Sequence, residues 1–162
     1  MSTENGLVRV LRTSRPERDE YFAEMTKLVA QRATCARRAV GCVLVNEQGH
    51  VLATGYNGVC KGAVHCIDKP CAGANMPSGQ GLHMCEAIHA EQNALLQCRN
   101  ITEVHTAYVT SSPCIQCVRL LVNTSVKRIV FLEEYPHAES ASVARRAGVE
   151  WIHYRSGGVD VG

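Results

Sequence analysis

The stretch VHTAYVTSSPCIQCVRLLV, residues 104–122, reads as a β-strand that turns directly into an α-helix, and it decides the fold. Residues 104–110 have the composition of a strand, Pro113 suits a helix start, and residues 114–122 continue as the helix. The same alternation runs outward in both directions. Residues 86–97 read as a helix before it; after it come a strand at 128–132, a helix at 138–147 ended by Gly148, and a last strand at 149–154. Nearer the N-terminus, strands at 40–45 and 51–54 flank the short Glu47-Gln48-Gly49 turn, which suits a hairpin. Ser14 and Pro16 fit the start of a first helix, with Phe22, Met25, Leu28 and Val29 on one face.

Strands alternating with helices imply crossover connections and a largely parallel sheet, with the first hairpin as its antiparallel part. The expected architecture is α/β: a three-layer α/β/α domain around a five-stranded mixed sheet. A chain of 162 residues, 46% of them hydrophobic, fits a single domain with one substantial core. That domain is expected over residues 1–155, with a disordered tail over 156–162.

The 17 Lys and Arg residues against 15 Asp and Glu leave a net charge of only +2. This argues against an extended phosphate-binding surface, so no nucleic-acid partner is expected, although a local cluster can still hold one small phosphate. The apolar run from Leu7 to Leu11 is interrupted by Arg9 and is too short for a signal-peptide core or a membrane span. A cytoplasmic location without membrane association is expected.

Nine cysteines are an odd number, which argues against a complete disulfide framework and, in a reducing compartment, points to metal. Cys42 and Cys98 lie in apolar runs and read as inert core residues. The stretch of about thirty residues after the second strand is rich in Gly, Pro, His and Cys and has little periodicity. A structureless loop of that length inside a compact domain is uncommon, so something should tie it down.

Two motifs carry chemistry. His89-Ala90-Glu91 and Pro113-Cys114-Ile115-Gln116-Cys117 together offer one imidazole, two thiolates and an unliganded carboxylate. Three such ligands hold zinc tetrahedrally and leave a fourth position open for water. Alone, a CxxC pair is equally a redox pair or half of a structural zinc site. Together, on helices that begin near the carboxyl ends of strands, the motifs match the zinc nucleobase deaminase signature. His89, Cys114 and Cys117 are then the metal ligands and Glu91 the proton carrier.

Four segments also resemble a particular family. They are Cys35-Ala36-Arg37-Arg38-Ala39-Val40-Gly41; Gly55-Tyr56-Asn57-Gly58 with Gly62 and His65-Cys66; His89-Ala90-Glu91-Gln92-Asn93-Ala94; and the Pro113 to Cys117 motif. From about Tyr21 to Trp151 the chain is similar to the deoxycytidylate (dCMP) deaminases, and among them to the shorter late-competence type. The resemblance implies a cytidine-deaminase-like fold and zinc-dependent hydrolysis of dCMP to dUMP and ammonia, in the supply of thymidine nucleotides. It leaves open 5-methyl- and 5-hydroxymethyl-dCMP as further substrates.

By the same resemblance, the Ala90 amide holds the pyrimidine carbonyl, the Ser112 carbonyl faces the exocyclic amine, and Asn57 contacts sugar or base. Arg37 grips the 5′-phosphate, which a guanidinium does with two oxygens. Tyr135 closes the pocket. A second, structural zinc carried by some phage and bacterial members would fall on Cys35, Cys66, Cys71 and His83, with Cys85 competing for the last place. Such a closed four-ligand site anchors a loop that has no core of its own. Regulated members read Gly-Tyr-Asn-Gly-x-Pro-x-Gly, and here Cys60 takes the proline place. Asn57, Lys61 and Gly62 are the candidate contacts for dCTP, bound with Mg2+, or dTTP. Family members assemble as dimers or hexamers, so a homo-oligomer is expected.

Two other functions share features with this sequence. A tRNA adenosine deaminase uses the same zinc motifs but needs a basic surface for RNA, which scattered charges summing to +2 do not supply. A non-catalytic zinc-stabilised competence or binding protein has no use for an unliganded Glu91 beside the metal.

Overall fold

Helix and strand assignments follow from a computed structural model that describes residues 14–77, 80–135 and 137–156, together with the backbone of 158–161. Chain order is α1 (Arg18–Ala30), β1 (Gly41–Val45), β2 (Val51–Tyr56), α2 (Ala90–Gln97), β3 (Thr106–Ser111), α3 (Ile115–Val122), β4 (Arg128–Glu133), α4 (Ala138–Arg146), β5 (Glu150–Arg155) and β6 (Gly158–Val161). The sheet order is β2-β1-β3-β4-β5-β6. The β3/β4 and β4/β5 pairs are parallel and the remaining pairs antiparallel.

The five expected strands are therefore all present, and a sixth lies beyond them. It comes from the tail expected to be disordered: the backbone of Gly158–Val161 pairs antiparallel with β5, Ile152 opposite Val161. The ladder supplies the order that the tail's weak composition does not suggest.

Layering follows from the two faces of β1 and β3. Val43, Val45 and Tyr108 point to one face, where Phe22 of α1 covers them along with Val130 and Ile152. Cys42, Leu44, Ala107 and Val109 point to the other, under Ala90 and Ala94 of α2, Val118 and Leu121 of α3, and Ala144 of α4. Cys42 is fully buried there and Cys98 packs against the same cluster, as inert thiols do. Leu28 departs from expectation. Met25 and Val29 pack inward with Phe22, but Leu28 lies off that stripe and is 64% exposed.

One polar cluster pins α1 to the sheet. Asp19 accepts hydrogen bonds from Arg128 Nη1 and Nη2 (3.1 and 2.7 Å) and from the Tyr108 hydroxyl (2.6 Å). Burial pushes the Asp19 carboxyl upward, but the Arg128 and Tyr108 hydrogen bonds and the Arg128 charge outweigh it and hold the pKa below its ordinary value. Stability from this pairing is therefore full above about pH 4, where an unfolded aspartate ionises, and is lost as the pH falls through the lower folded pKa. Asp19→Asn is expected to cost about 2 kcal/mol in urea unfolding at pH 7. The gap from the parent protein should narrow in the same measurement as the pH is lowered below about 4.

Candidate active site

Strand β3 ends at Ser111, and the chain turns through Ser112 and Pro113 into α3. Cys114 and His89 are both extended residues immediately before their helices rather than members of the first turn. The expected helix at 86–97 is shortened because Ile88 pairs with Gly58, Ile88 N donating to Gly58 O (2.8 Å) and Gly58 N to Ile88 O (3.1 Å). The Gln92 side chain then accepts from His89 N (2.9 Å), which completes the helix start. Glycine at position 55 lets α2 lie directly on β2. A methyl group there would run into the Ala90 carbonyl and the Ala94 amide, so any side chain would push α2 and His89 away from α3.

That approach brings three donors together. His89 Nδ1 lies 3.5 Å from Cys114 Sγ and 3.4 Å from Cys117 Sγ, and the three ligand atoms all fall within 4.8 Å of one another. Tetrahedral zinc, with Zn–N near 2.0 Å and Zn–S near 2.3 Å, sets nitrogen and sulfur about 3.5 Å apart, so the trio fits that ion without rearrangement. A hydrogen bond from Cys117 and then one from His89 hold Cys114 far down in its thiolate form. The amino-terminal end of α3 favours the same form.

Glu91 stands one residue into α2 and is only 4% exposed. Burial raises its pKa above the ordinary carboxylate value. His89, Cys114 and Glu91 open onto a cavity of about 400 Å³, large enough for a small nucleotide, which Ala90 and Ser112 also line, while Cys117 lies buried behind them.

Two arginines stand at that cavity and have different surroundings. Arg37 Nη2 donates to the Pro77 and Gln80 carbonyls (2.8 and 2.9 Å), whereas its Nη1 is buried and without a hydrogen-bond partner. Arg38, which the motif analysis passed over, reaches the rim. Its Nη2 lies 2.8 Å from Glu133 Oε2, and its guanidinium sits 5.2 Å from the centre of the Tyr135 ring. The adjacent Arg-Arg pair on an extended segment was the available signal, since neighbouring side chains there diverge.

Tyr135 is held in place by Ser112, whose Oγ accepts from Tyr135 N (2.6 Å) and donates to Tyr135 O (3.1 Å). Asn57 lines the cavity, but its amide is also engaged by backbone. Oδ1 accepts from Val40 N (2.8 Å) and Nδ2 donates to Arg38 O (2.7 Å), so it sets the course of the arginine-bearing segment.

The long cysteine-rich loop has its own cluster. Cys66 and Cys71 bring their sulfurs to 3.7 Å, close to the spacing of two thiolates on one tetrahedral zinc. Cys85 interacts through its side chain with both Cys71 and Cys35. Backbone N–H of Glu86 first, and then the Cys66 thiol, lower the Cys71 pKa. Cys35, Cys85, Cys71 and Cys66 are thus linked by pairwise contacts, without three of them closing on one point as His89, Cys114 and Cys117 do, and the expected ligand His83 is exposed on the adjoining turn. Lys61 and Gly62 are exposed and do not line the smaller cavity of about 190 Å³ beside Gly58, Thr34, His65 and Asn93.

Comparison with known proteins agrees with this arrangement. The cytidine and deoxycytidylate deaminase zinc-binding region matches residues 16–133. The deoxycytidylate deaminase of Saccharomyces cerevisiae is 36% identical over 138 residues, 83% of this chain and 44% of that protein. The deoxycytidylate deaminase of Mycobacterium phage D29 is 39% identical over 127 residues, 75% of this chain and 98% of that protein. The chain thus spans less than half the length of the yeast relative and nearly all of the phage one. Among solved structures, the dCMP deaminase of cyanophage S-TIM5 in complex with dCMP and dUMP superposes with a TM-score of 0.71 at 26% identity, covering 87% of this chain and 99% of that one. A match that runs through both zinc motifs and the sheet carrying them means that the chain belongs to the zinc-binding cytidine and deoxycytidylate deaminase family.

Proposed function

We propose that this protein hydrolyses dCMP to dUMP and ammonia. The observation that carries the reading is the convergence of His89, Cys114 and Cys117 beside buried Glu91, with His89, Cys114 and Glu91 lining one nucleotide-sized cavity. His89, Cys114 and Cys117 would hold a zinc ion, which when bound would supply an activated water. Glu91 takes one proton from the attacking water and gives it to the ring nitrogen, then takes the remaining hydroxyl proton and gives it to the amine, which leaves as ammonia. The Ala90 amide, at the start of α2, holds the pyrimidine carbonyl, and the Ser112 carbonyl accepts from the exocyclic amine. Tyr135 covers the base, and Asn57 reaches the sugar while it keeps Arg38 and Val40 in position.

The partnerless Nη1 of Arg37 is the group that a 5′-phosphate oxygen would satisfy. Arg37→Ala is expected to raise KM for dCMP about a hundredfold with a smaller change in kcat, as loss of one charge-assisted phosphate contact does. Steady-state kinetics on folded, zinc-loaded variant check it; an unchanged KM would remove Arg37 from the phosphate site.

A second, structural zinc on Cys35, Cys66, Cys71 and Cys85 anchors the loop, the last ligand favoured over His83 by its contacts with Cys35 and Cys71. Control by dCTP, with Mg2+ carried on the triphosphate, or by dTTP is proposed for the segment that carries Asn57, Lys61 and Gly62. Leu96 and Leu120, exposed on α2 and α3, support assembly into a homo-oligomer. The same reading makes the protein cytoplasmic, with a single deaminase domain whose sheet extends past the expected boundary at 155 to take in β6.

Incubating the zinc-loaded protein separately with dCMP, deoxycytidine, dCTP and tRNA tests the reading. Ammonia is expected from dCMP at the highest kcat/KM. Inosine formed in tRNA, or no ammonia from any of the four, would overturn it.

A further inference from the structure

The rim of the cavity carries an ion pair that deamination itself does not use. Arg38 faces the cavity with its guanidinium against Tyr135, and Glu133 neutralises it at 2.8 Å from the outer side. The position of Glu133 is fixed by the sheet. It ends β4 opposite Ser111, and its carbonyl accepts from Ser112 N (2.8 Å), so its carboxylate stands at a set place relative to the cavity mouth. Glu134 follows it directly and is also exposed.

A nucleotide with its base at His89 and Glu91 extends its phosphate toward the two arginines. Arg37, braced by the Pro77 and Gln80 carbonyls, presents one remaining nitrogen, and Arg38 presents a cation whose charge is already partly balanced. One phosphate group suits that supply of positive charge. A second or third would carry further negative charge past the rim toward Glu133 and Glu134.

We propose that Glu133, through its ion pair with Arg38, is a specificity-determining residue that selects a nucleoside monophosphate over the di- and triphosphate. The selection works by repulsion: the carboxylate both limits the charge available from Arg38 and opposes phosphates beyond the first. It rests on the reading of this cavity as the dCMP site.

The test is Glu133→Gln, which keeps the side-chain size and can still accept a hydrogen bond from Arg38. Initial rates on zinc-loaded parent and variant with dCMP, dCDP and dCTP, each product identified by chromatography, give the ratios of kcat/KM. The ratio for dCTP over dCMP is expected to rise about tenfold, about 1.4 kcal/mol, with a smaller rise for dCDP. The rise should shrink in about 0.5 M salt, where exposed charges are screened. An unchanged ratio, or equal changes for all three nucleotides, would overturn the inference. Absence of dCMP turnover in the parent protein would instead overturn the reading of the site.

Discussion

Glu91→Gln is expected to lower kcat for dCMP by about a thousandfold while the zinc content stays that of the parent protein. The argument has two parts. Glutamine has nearly the same volume as glutamate and makes no demand on His89, Cys114 or Cys117, whose spacing is set by the starts of α2 and α3. It cannot accept and return a proton, and general acid–base assistance is worth about two to four powers of ten. The folded state should not suffer. Glu91 is 4% exposed and burial already raises its pKa, so a neutral amide of the same shape removes a buried ionisable group. Kinetics, metal analysis and a melting curve on the same preparation check this: lost turnover with retained zinc and an undiminished melting temperature is the expected pattern. Turnover near the parent level would show that another group carries the proton.

Cys85→Ser is expected to remove one of two zinc ions per chain, whereas His83→Asn should leave both. Cys85 interacts with Cys35 and Cys71, and Cys71 with Cys66, which is the basis for proposing its sulfur as the fourth ligand. The binding energy of such a structural ion is folding energy for the segment that holds it. Ala74, Met76 and Leu82 of that segment form one wall of the large cavity. Loosening the wall should raise KM for dCMP about tenfold, because substrate positioning is lost while the catalytic groups remain. Metal analysis of the two variants side by side is the direct check. Loss of zinc from His83→Asn with retention in Cys85→Ser would restore the histidine as ligand.

Strands with a strong local signature were legible in the sequence, and so was the motif chemistry. β1, β3 and β4 are short, mainly apolar runs with β-branched and aromatic residues, and their burial on both faces matches that composition. What was not legible depended on partners distant in sequence. β2 continues through Gly55 and Tyr56 because α2 packs on the glycine, which no pattern within the strand reveals. β6 owes its order to pairing with β5 rather than to its own residues. Leu28 fits a helical stripe on spacing alone, but the position of Tyr108 and Val43 beneath Phe22 decides which stripe is buried.

Within the site, the His89/Glu91 and Cys114/Cys117 spacings are local and so were legible, whereas the meeting of the two pairs depends on α2 lying against Gly55 of β2. The choice between His83 and Cys85, and the different surroundings of Arg37 and Arg38, depend on how the long loop folds back over residues 35–38. Both residues of each pair lie in that region and have suitable chemistry. Only the path of the backbone separates them, through the Pro77 and Gln80 carbonyls on one side and Glu133 and Tyr135 on the other.

The central claim is that one cavity holds zinc at its floor and a pyrimidine nucleoside monophosphate above it. A crystal structure of the zinc-loaded protein with a hydrated-pyrimidine monophosphate mimic, recorded at the zinc absorption edge, tests this most directly. The account predicts an anomalous peak among His89 Nδ1, Cys114 Sγ and Cys117 Sγ, with Glu91 against the ring nitrogen and the phosphate on Arg37. A peak elsewhere, or a mimic bound with its phosphate away from the arginines, would contradict it.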